Sequence, residues 1–290
     1  MKKKKEISFS ILMSNFNNGK YIKDAIQSVI DQIYLNWELI IVDDCSTDNS
    51  IDVISQFSNN DRIKLIQNKK NIGKPSSLII AIENASNEII GILDADDKLH
   101  EEALEIIHKV YQDNQKYGFV YTKMWNCNSS LQPYNIPSWV GPVIPEKTDI
   151  LKHRISHFKT FKKKDYLKTS GFDPTQKRAM DHDTIYKLEE VTQFKFIDKA
   201  LYYYRHHENG ISQGKGSFQA RIYHYIAKCK AYKRRLNSDI PNVILKDLYL
   251  EYYKITFHNM IKFLKYFYSF LILNKKIKKI SSFFLRFLPR

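Results

Sequence analysis

Apolar and polar positions alternate with two different spacings through the first hundred residues. Four short apolar runs, many of their residues β-branched, are typical of buried strands: 7–14, 37–44, 63–66 and 89–93. Three segments between them carry apolar residues at helical spacing: 21–32, 49–57 and 76–85. This order predicts a βαβ series on a mostly parallel sheet flanked by helices, and therefore an α/β fold.

Acidic residues follow two of the predicted strands. Asp94 and Asp96 come directly after the run 89–93. At the carboxyl edge of a parallel sheet, alternate carboxylates can converge on one hard cation and the diphosphate it carries. The plainer interpretation is a polar turn in which Asp97 caps the next helix. A second pair, Asp43 and Asp44, ends the run 37–44, where a carboxylate could bind a uracil or ribose edge.

The second part of the chain is less regular. Residues 126–146 are rich in Asn, Ser and Pro, which predicts a mobile loop over a site. His157 stands alone, and such a histidine is more often structural than catalytic. Asp181 and Asp183 open a predicted helix over 184–191, and helix capping is the plainer interpretation of both. The tyrosine run 202–204 indicates a strand or an edge hairpin.

Composition and charge limit the class of protein. The 290 residues are 43% hydrophobic, enough for a full core in one sizeable domain or two intimate lobes. The net charge of +15 favours polyanionic partners, whether nucleic acid, anionic lipid or a negatively charged small substrate. Three cysteines, far apart and in no C-x-x-C pattern, indicate neither a disulfide framework nor a zinc site, and a reducing compartment fits best. The lysines at 2–5 precede an apolar run too short for a signal peptide, so that run is predicted to be the first strand.

Two common nucleotide-binding motifs are missing. The turn after the first predicted strand contains no G-x-G-x-x-G, and neither Gly19-Lys20 nor Gly73-Lys74 is followed by Ser or Thr. These absences argue against dinucleotide dehydrogenases and P-loop kinases.

Four segments, taken in order, resemble the nucleotide-sugar half of family 2 glycosyltransferases with the GT-A fold: 11–17, 37–48, 71–74 and 93–97. Position by position, the resemblance implies that Asn15 and Asn17 lie by the base and that Asp43 binds uracil or ribose. It also implies that Lys74 lies near the nucleotide. Met13 and Phe16 stand where the family usually has Pro and Tyr.

The same resemblance assigns the metal and the catalytic base. Asp94 is expected to contact the ribose or the metal, and Asp96 is expected to bind Mn²⁺ or Mg²⁺. Asp181 falls on the base position of the family's acidic acceptor motif, in which Met180 replaces the usual Glu. A divalent ion suits this chemistry because a nucleoside diphosphate leaving group builds up negative charge.

A third motif, 204–212, resembles the family's Y-R-x-H-x-x-x-S stretch. It implies that His207 reaches the metal or the diphosphate and that Arg205 and Ser212 contact phosphate. The resemblance covers about residues 7 to 215, and it is similar in detail to the glucuronate-transferring module of bacterial chondroitin polymerases.

The tail after residue 215 lies outside the resemblance. From Lys275 to Arg290, bulky apolar residues recur at helical spacing among lysines. No run approaches the roughly 20 apolar residues that a bilayer span requires. The pattern predicts a basic helix that lies on an anionic membrane surface, and the alternative is ordinary core or dimer packing.

Together these observations predict an inverting, metal-dependent glycosyltransferase. It would use a UDP-sugar donor and a glycan or lipid-linked acceptor in bacterial surface polysaccharide synthesis, in the cytoplasm and peripherally bound to the inner face of the membrane. The expected parts are a nucleotide-sugar half (1–100), an acceptor half (101–215) and a helical basic extension (216–290). Two alternatives are a sugar nucleotidyltransferase, which would usually show a Gly-rich N-terminal loop, and a nucleic-acid-binding protein. Carboxylates at strand ends argue against the latter, so no nucleic acid is expected as a partner.

Overall fold

The computed structural model describes residues 6–143, 148–150, 153–208, 217–237, 250 and 253–265. Ser212 and the predicted membrane helix from Lys275 to Arg290 lie outside these residues. The described strands are β1 (Phe9–Asn15), β2 (Trp37–Asp43), β3 (Ile63–Gln67), β4 (Ile89–Ile92), β5 (Lys98–Leu99), β6 (Tyr117–Cys127), β7 (Pro133–Asn135), β8 (Lys159–Lys162) and β9 (Gln193–Arg205). The helices are α1 (Ile22–Ile30), α2 (Ser50–Ser55), α3 (Lys74–Glu83), α4 (Ala103–Asp113), α5 (Lys163–Tyr166), α6 (Met180–Glu189) and α7 (Ser217–Leu236), followed by a helix over 253–265.

The strands form one sheet in the order β3-β2-β1-β4-β8-β6-β9-β5, with β7 paired to β6. The first four strands are parallel, as predicted. Strand β8 then runs antiparallel to both β4 and β6, whereas β9 is parallel to β6. The predicted α/β layering is therefore present, but the second half makes the sheet as a whole mixed. The two expected halves of the enzyme share this sheet.

Each face of the sheet carries its own hydrophobic core, because successive strand residues point to opposite faces. Ile11 packs on one face with residues of α1 and α4, such as Val29 and Leu104. The next residue, Leu12, packs on the other face with residues of α3 and α6, such as Leu78. The near-continuous apolar runs of the sequence thus correspond to strands that are covered on both sides.

Three alternatives that the sequence left open do not hold in the structure. Asp97 does not cap a helix: it is 1% exposed, and α4 begins only after Glu102. Helix α6 begins at Met180, and its N-cap is Ala179, so neither acid of its first turn acts as the cap. Strand β9 is no edge hairpin, since it lies between β6 and β5. In each case a contact from a distant part of the chain overrides the local pattern.

Helix α7 of the C-terminal extension packs against the helix over 253–265. Ile222 of α7 is buried with Met260 and Leu264 of the helix over 253–265. Within the described part of the chain, no helix is both long and apolar enough to cross a membrane.

Candidate active site

The carboxyl ends of β1 and β4 and the N-termini of α3 and α6 surround a cleft of about 870 Å³. Five residues singled out from the sequence line it: Asn17, Lys74, Asp94, Asp96 and Asp181. This volume is within the usual range for a site that binds a small molecule or a cofactor. The topology explains the gathering, because parallel strands end at the same edge of the sheet.

Lys74 and Asp94 form an ion pair on one wall of the cleft. The Lys74 Nζ atom lies 2.6 Å from Asp94 Oδ1. Burial by itself would raise the pKa of Asp94, but the charges of Lys74, His157 and Lys159 lower it below its usual value. Lys74 is the first residue of α3, so a cation and a helix N-terminus face the same space. This wall is suited to an anionic group such as a diphosphate.

Asp96 and His207 are brought together although 110 residues separate them in the chain. The Asp96 Oδ2 atom lies 2.9 Å from His207 Nε2, and the His207 ring packs on Tyr21 with the ring centroids 4.6 Å apart. Carboxylate oxygens of Asp94 and Asp96 also lie within 4.8 Å of each other. Two carboxylates and one imidazole form a donor set that fits Mn²⁺. The predicted metal residues are therefore adjacent and chemically suitable.

The third acid of this loop, Asp97, has a structural role. It accepts hydrogen bonds from Tyr202 Oη at 2.7 Å and from the Arg205 backbone N–H at 2.8 Å. Burial and the neighbouring charges of Asp96 and Asp94 raise the pKa of Asp97 well above its usual value. It thus joins the acidic loop to β9, and one of its carboxylate oxygens also lies within 4.8 Å of those of Asp94 and Asp96.

Arg205 is also occupied by the protein itself. Its guanidinium, only 4% exposed, donates to the Asp96 carbonyl, to the Ser129 carbonyl and to Asp24 Oδ2, each at 2.7 Å. These contacts point to a residue that positions the Asp96 loop. A direct contact between Arg205 and phosphate stays a prediction. The hydrogen bonds that its guanidinium donates to protein oxygens do not favour it.

Asp181 lines the same cleft from the first turn of α6. Its Oδ2 accepts a hydrogen bond from Lys159 Nζ at 2.9 Å, and the Lys159 side chain is only 4% exposed. Burial by itself would raise the pKa of Asp181, yet the charge of Lys159 and its hydrogen bond hold this pKa well below its usual value. Asp181 is therefore an ionised carboxylate across the neutral pH range, open to the cleft.

His157 also lines the cleft, and its ring stacks on that of Tyr202 with the centroids 4.8 Å apart. Burial and the nearby charge of Lys159 lower the pKa of His157 to about 3. The imidazole is thus neutral at physiological pH, as expected for a packed histidine.

Of the residues expected beside the nucleotide's uracil base, one lines the cleft and two are buried beneath its surface. Asn17 lines the cleft, and its Oδ1 accepts the Thr47 N–H at 2.8 Å. Asp43 and Asn15 are buried, and Asn15 donates to Asp43 Oδ2 at 2.7 Å. Ser46 Oγ donates to the same carboxylate at 2.6 Å. Asp43 and Asn15 therefore support the loop that carries Asn17, and their direct contact with a base stays a prediction.

Sequence reasoning assigned no role to two side chains of this site. Asp44 accepts the backbone N–H groups of Ile72 and Gly73, at 2.8 and 2.7 Å, and so fixes the turn that presents Lys74. Gly73 has φ of 87°, a conformation that suits glycine. The other is Lys159, whose pairing with Asp181 depends on β8 lying beside β4. The position of Asp44 at the end of a predicted strand could have indicated its role, whereas no local pattern indicated Lys159.

Comparisons with known proteins agree with this geometry. Residues 10–187, more than half of the chain, match the model of the family described as Glycosyl transferase family 2. A chondroitin synthase of Pasteurella multocida is 32% identical over 198 residues. That alignment covers 67% of this chain but 20% of the relative, so this chain corresponds to a part of that longer protein.

Solved structures show the same fold at lower identity. The chain is similar to S. aureus TarS in complex with UDP-GlcNAc, with a TM-score of 0.70 and 21% identity over 86% of this chain and 72% of that one. A mannosyltransferase from Pyrobaculum calidifontis in complex with GDP-Man and Mn²⁺ gives a TM-score of 0.60 and 13% identity over 97% of this chain and 79% of that one. The predicted fold class is confirmed. On its sequence and its fold, this chain belongs to glycosyltransferase family 2.

Proposed function

We propose that this enzyme is an inverting, metal-dependent glycosyltransferase. It moves a sugar from a UDP-sugar donor to a glycan or lipid-linked acceptor in bacterial surface polysaccharide synthesis. The observation that carries the proposal is one cleft lined by Asp96, which pairs with His207, and by an ionised, partly exposed Asp181. The UDP-GlcNAc bound to TarS and the name of the chondroitin synthase support the donor and the acceptor class.

The donor's diphosphate is expected beside Lys74 and the N-terminus of α3. Asp96 and His207, with Asp94 next to them, are the residues that would hold Mn²⁺ or Mg²⁺. Such an ion would neutralise the negative charge that develops on the departing diphosphate. Lys74 adds a fixed positive charge at the same place.

Asp181 is proposed as the general base for the acceptor. The acceptor hydroxyl oxygen forms a bond to the anomeric carbon while the bond from that carbon to the diphosphate oxygen breaks. The hydroxyl proton passes to Asp181, and UDP leaves. One displacement on the face opposite the leaving group inverts the anomeric configuration. Lys159 keeps Asp181 ionised and directs one of its oxygens, so the other oxygen can face the acceptor.

The test combines a screen of nucleotide sugars with two matched variants. Donor hydrolysis and thermal stabilisation are measured with and without Mn²⁺ for the wild type, Asp96→Asn and Asp181→Asn. We expect Asp96→Asn to lose the metal-dependent part of donor binding. We expect Asp181→Asn to keep donor binding while turnover falls by a factor of roughly 10² to 10⁴, as is usual for a lost general base.

Both substitutions are nearly isosteric, so circular dichroism should show an unchanged fold. Undiminished turnover in Asp181→Asn would exclude it as the base. Metal-independent turnover in the wild type would exclude the proposed metal role. Consumption of a nucleoside triphosphate with a sugar phosphate, instead of a nucleotide sugar, would point to the nucleotidyltransferase alternative.

A further inference from the structure

Asp149, His153 and His182 form a second cluster of potential metal ligands, separate from the acidic loop. One ligand atom from each lies within 4.8 Å of the others. His224 of α7 extends the cluster, since its ring centroid lies 4.3 Å from that of His182. The His153 and His182 centroids are 4.4 Å apart. Three imidazoles and a carboxylate thus meet from three parts of the chain: the segment before β8, α6 and α7.

The imidazoles of the cluster differ in their hydrogen bonds. His224 Nε2 lies 3.3 Å from Tyr186 Oη. The Nδ1 atom of His182 is buried without a hydrogen-bond partner among the described residues. A buried polar atom without a partner costs free energy, which a bound cation would offset.

Asp149 is fixed by the backbone in a way that suits a ligand. Its side chain is 0% exposed, and Oδ1 accepts the N–H groups of Arg154 and Ile155 at 2.6 and 3.1 Å. The other oxygen, Oδ2, lies 3.4 Å from His153 Nδ1. The carboxylate can thus bind a cation itself or orient His153 toward one, two arrangements that are common in zinc sites.

We propose that Asp149, His153 and His182 bind Zn²⁺, with His224 of α7 beside them. Imidazole-rich donor sets favour Zn²⁺, whereas the acidic loop around Asp96 is richer in carboxylate oxygen and suits Mn²⁺ or Mg²⁺. Side-chain rotations within the cluster would bring the nitrogen and oxygen atoms to the roughly 2.0 to 2.2 Å that zinc requires. The site links the segment before β8 to α6 and α7.

The location gives the site a consequence for the enzyme. His182 directly follows Asp181, so the zinc would fix the first turn of α6, from which Asp181 projects into the cleft. Trp139 stacks on His153 with ring centroids 4.6 Å apart and covers the cluster from outside. We therefore expect Zn²⁺ to raise the melting temperature of the protein without replacing the divalent ion of the donor site.

The experiment measures metal binding to the full chain after treatment with a chelator. Zn²⁺ uptake is determined by elemental analysis after dialysis, and Co²⁺ is used as a coloured probe for tetrahedral nitrogen ligation. Wild type and Asp96→Asn should both take up about one Zn²⁺ per chain, with an intense visible Co²⁺ spectrum. The His153→Gln/His182→Gln variant should lose both, and its melting temperature should no longer respond to Zn²⁺. His258→Gln, at an exposed histidine of the helix over 253–265, is the matched control and should behave as wild type.

Several outcomes would overturn the proposal. They are no Zn²⁺ uptake by the wild type, uptake that disappears in Asp96→Asn, or normal uptake by His153→Gln/His182→Gln. If the double variant does not fold, the wild-type Co²⁺ spectrum decides, because the absence of tetrahedral bands excludes the site. Glycosyl transfer is not the readout, so failure of the proposed function would leave this result intact.

Discussion

Single residues of the cleft are arranged as two ion pairs, Lys74 with Asp94 and Lys159 with Asp181, and one hydrogen-bonded pair, His207 with Asp96. Each acid already has a protein partner, so a donor diphosphate and its cation must compete for these groups when they bind. Removing one partner of a buried or half-buried ion pair is costly mainly because the remaining charge is left uncompensated. Removing a single partner should therefore alter the remaining group more than it alters the fold.

Replacing Lys159 should change the pH dependence of turnover. Lys159 lowers the pKa of Asp181, whereas burial raises it, so Lys159→Met should raise this pKa. A base must be deprotonated to act, so the acidic limb of the kcat profile should move to higher pH by the same amount. The measurement is kcat between pH 4 and about 9, the range in which a carboxylate base would be titrated.

Lys177→Met is the control for this effect. Lys177 also lines the cleft, but it is more exposed, and Lys159 is the lysine that bonds Asp181. Its replacement should leave the acidic limb in place. An unchanged limb in Lys159→Met would mean that Asp181 does not set the pH dependence.

Among the secondary-structure elements, helix α6 carries an unusual start. Its N-cap, Ala179, has φ of 50° and ψ of 30°, in the left-handed region. Such a conformation costs a residue other than glycine roughly 1 to 2 kcal/mol. The turn is kept because Ile185 and Leu188 anchor the helix in the core, while Asp181 projects into the cleft from its first turn. Packing of the element thus supports a locally unfavourable backbone at the site.

Ala179→Gly should accordingly raise the free energy of unfolding by about 1 kcal/mol, because glycine adopts this conformation without the steric cost. Chemical denaturation monitored by circular dichroism measures the change. Ala227→Gly is the comparison, since Ala227 lies inside α7 and is 0% exposed. That substitution should lower stability by about 1 kcal/mol or more. A loss of stability in Ala179→Gly would show that the strain is not relieved by glycine.

For the whole molecule, the main feature beyond the fold is the charge of +15. The proposed donor site is built around an acidic loop, and we infer that the excess of lysine serves another purpose. The lysines of the segment from Lys275 to Arg290 alternate with bulky apolar residues, and we propose that this segment holds the enzyme at an anionic membrane. A lipid-linked acceptor would be reached from that surface.

The membrane proposal predicts flotation of the full chain with anionic liposomes. Each basic residue near such a surface contributes on the order of 1 kcal/mol, and salt screens the attraction. Binding should therefore weaken at high salt and be lost on deletion of the segment 275–290. Neutral liposomes are the control. Equal flotation of the truncated and full-length proteins would contradict the membrane proposal. A truncated protein that unfolds would indicate instead that the segment packs in the core.

The sequence by itself determined the layered first half of the fold and several of the residues that line the cleft. Apolar runs and helical spacings are local properties, and parallel strands must end at a common edge. For that reason Asp94 and Asp96 could be expected at this edge from the local pattern, whereas Asn17 and Lys74 were expected there from the family resemblance; all four line the cleft. Element boundaries were off by a few residues, and the mixed second half of the sheet was not foreseen.

Only the tertiary structure decided which groups touch. The insertion of β8 between β4 and β6 brings Lys159 to Asp181, and the course of β9 buries Arg205 under the acidic loop. The cluster around His153 and His182 likewise joins segments that have no common motif. Local patterns report the period and the ends of an element, but they carry no information on the neighbour that a distant element provides. Charge state and accessibility depend on that neighbour, so the roles of these residues became definable only in the folded chain.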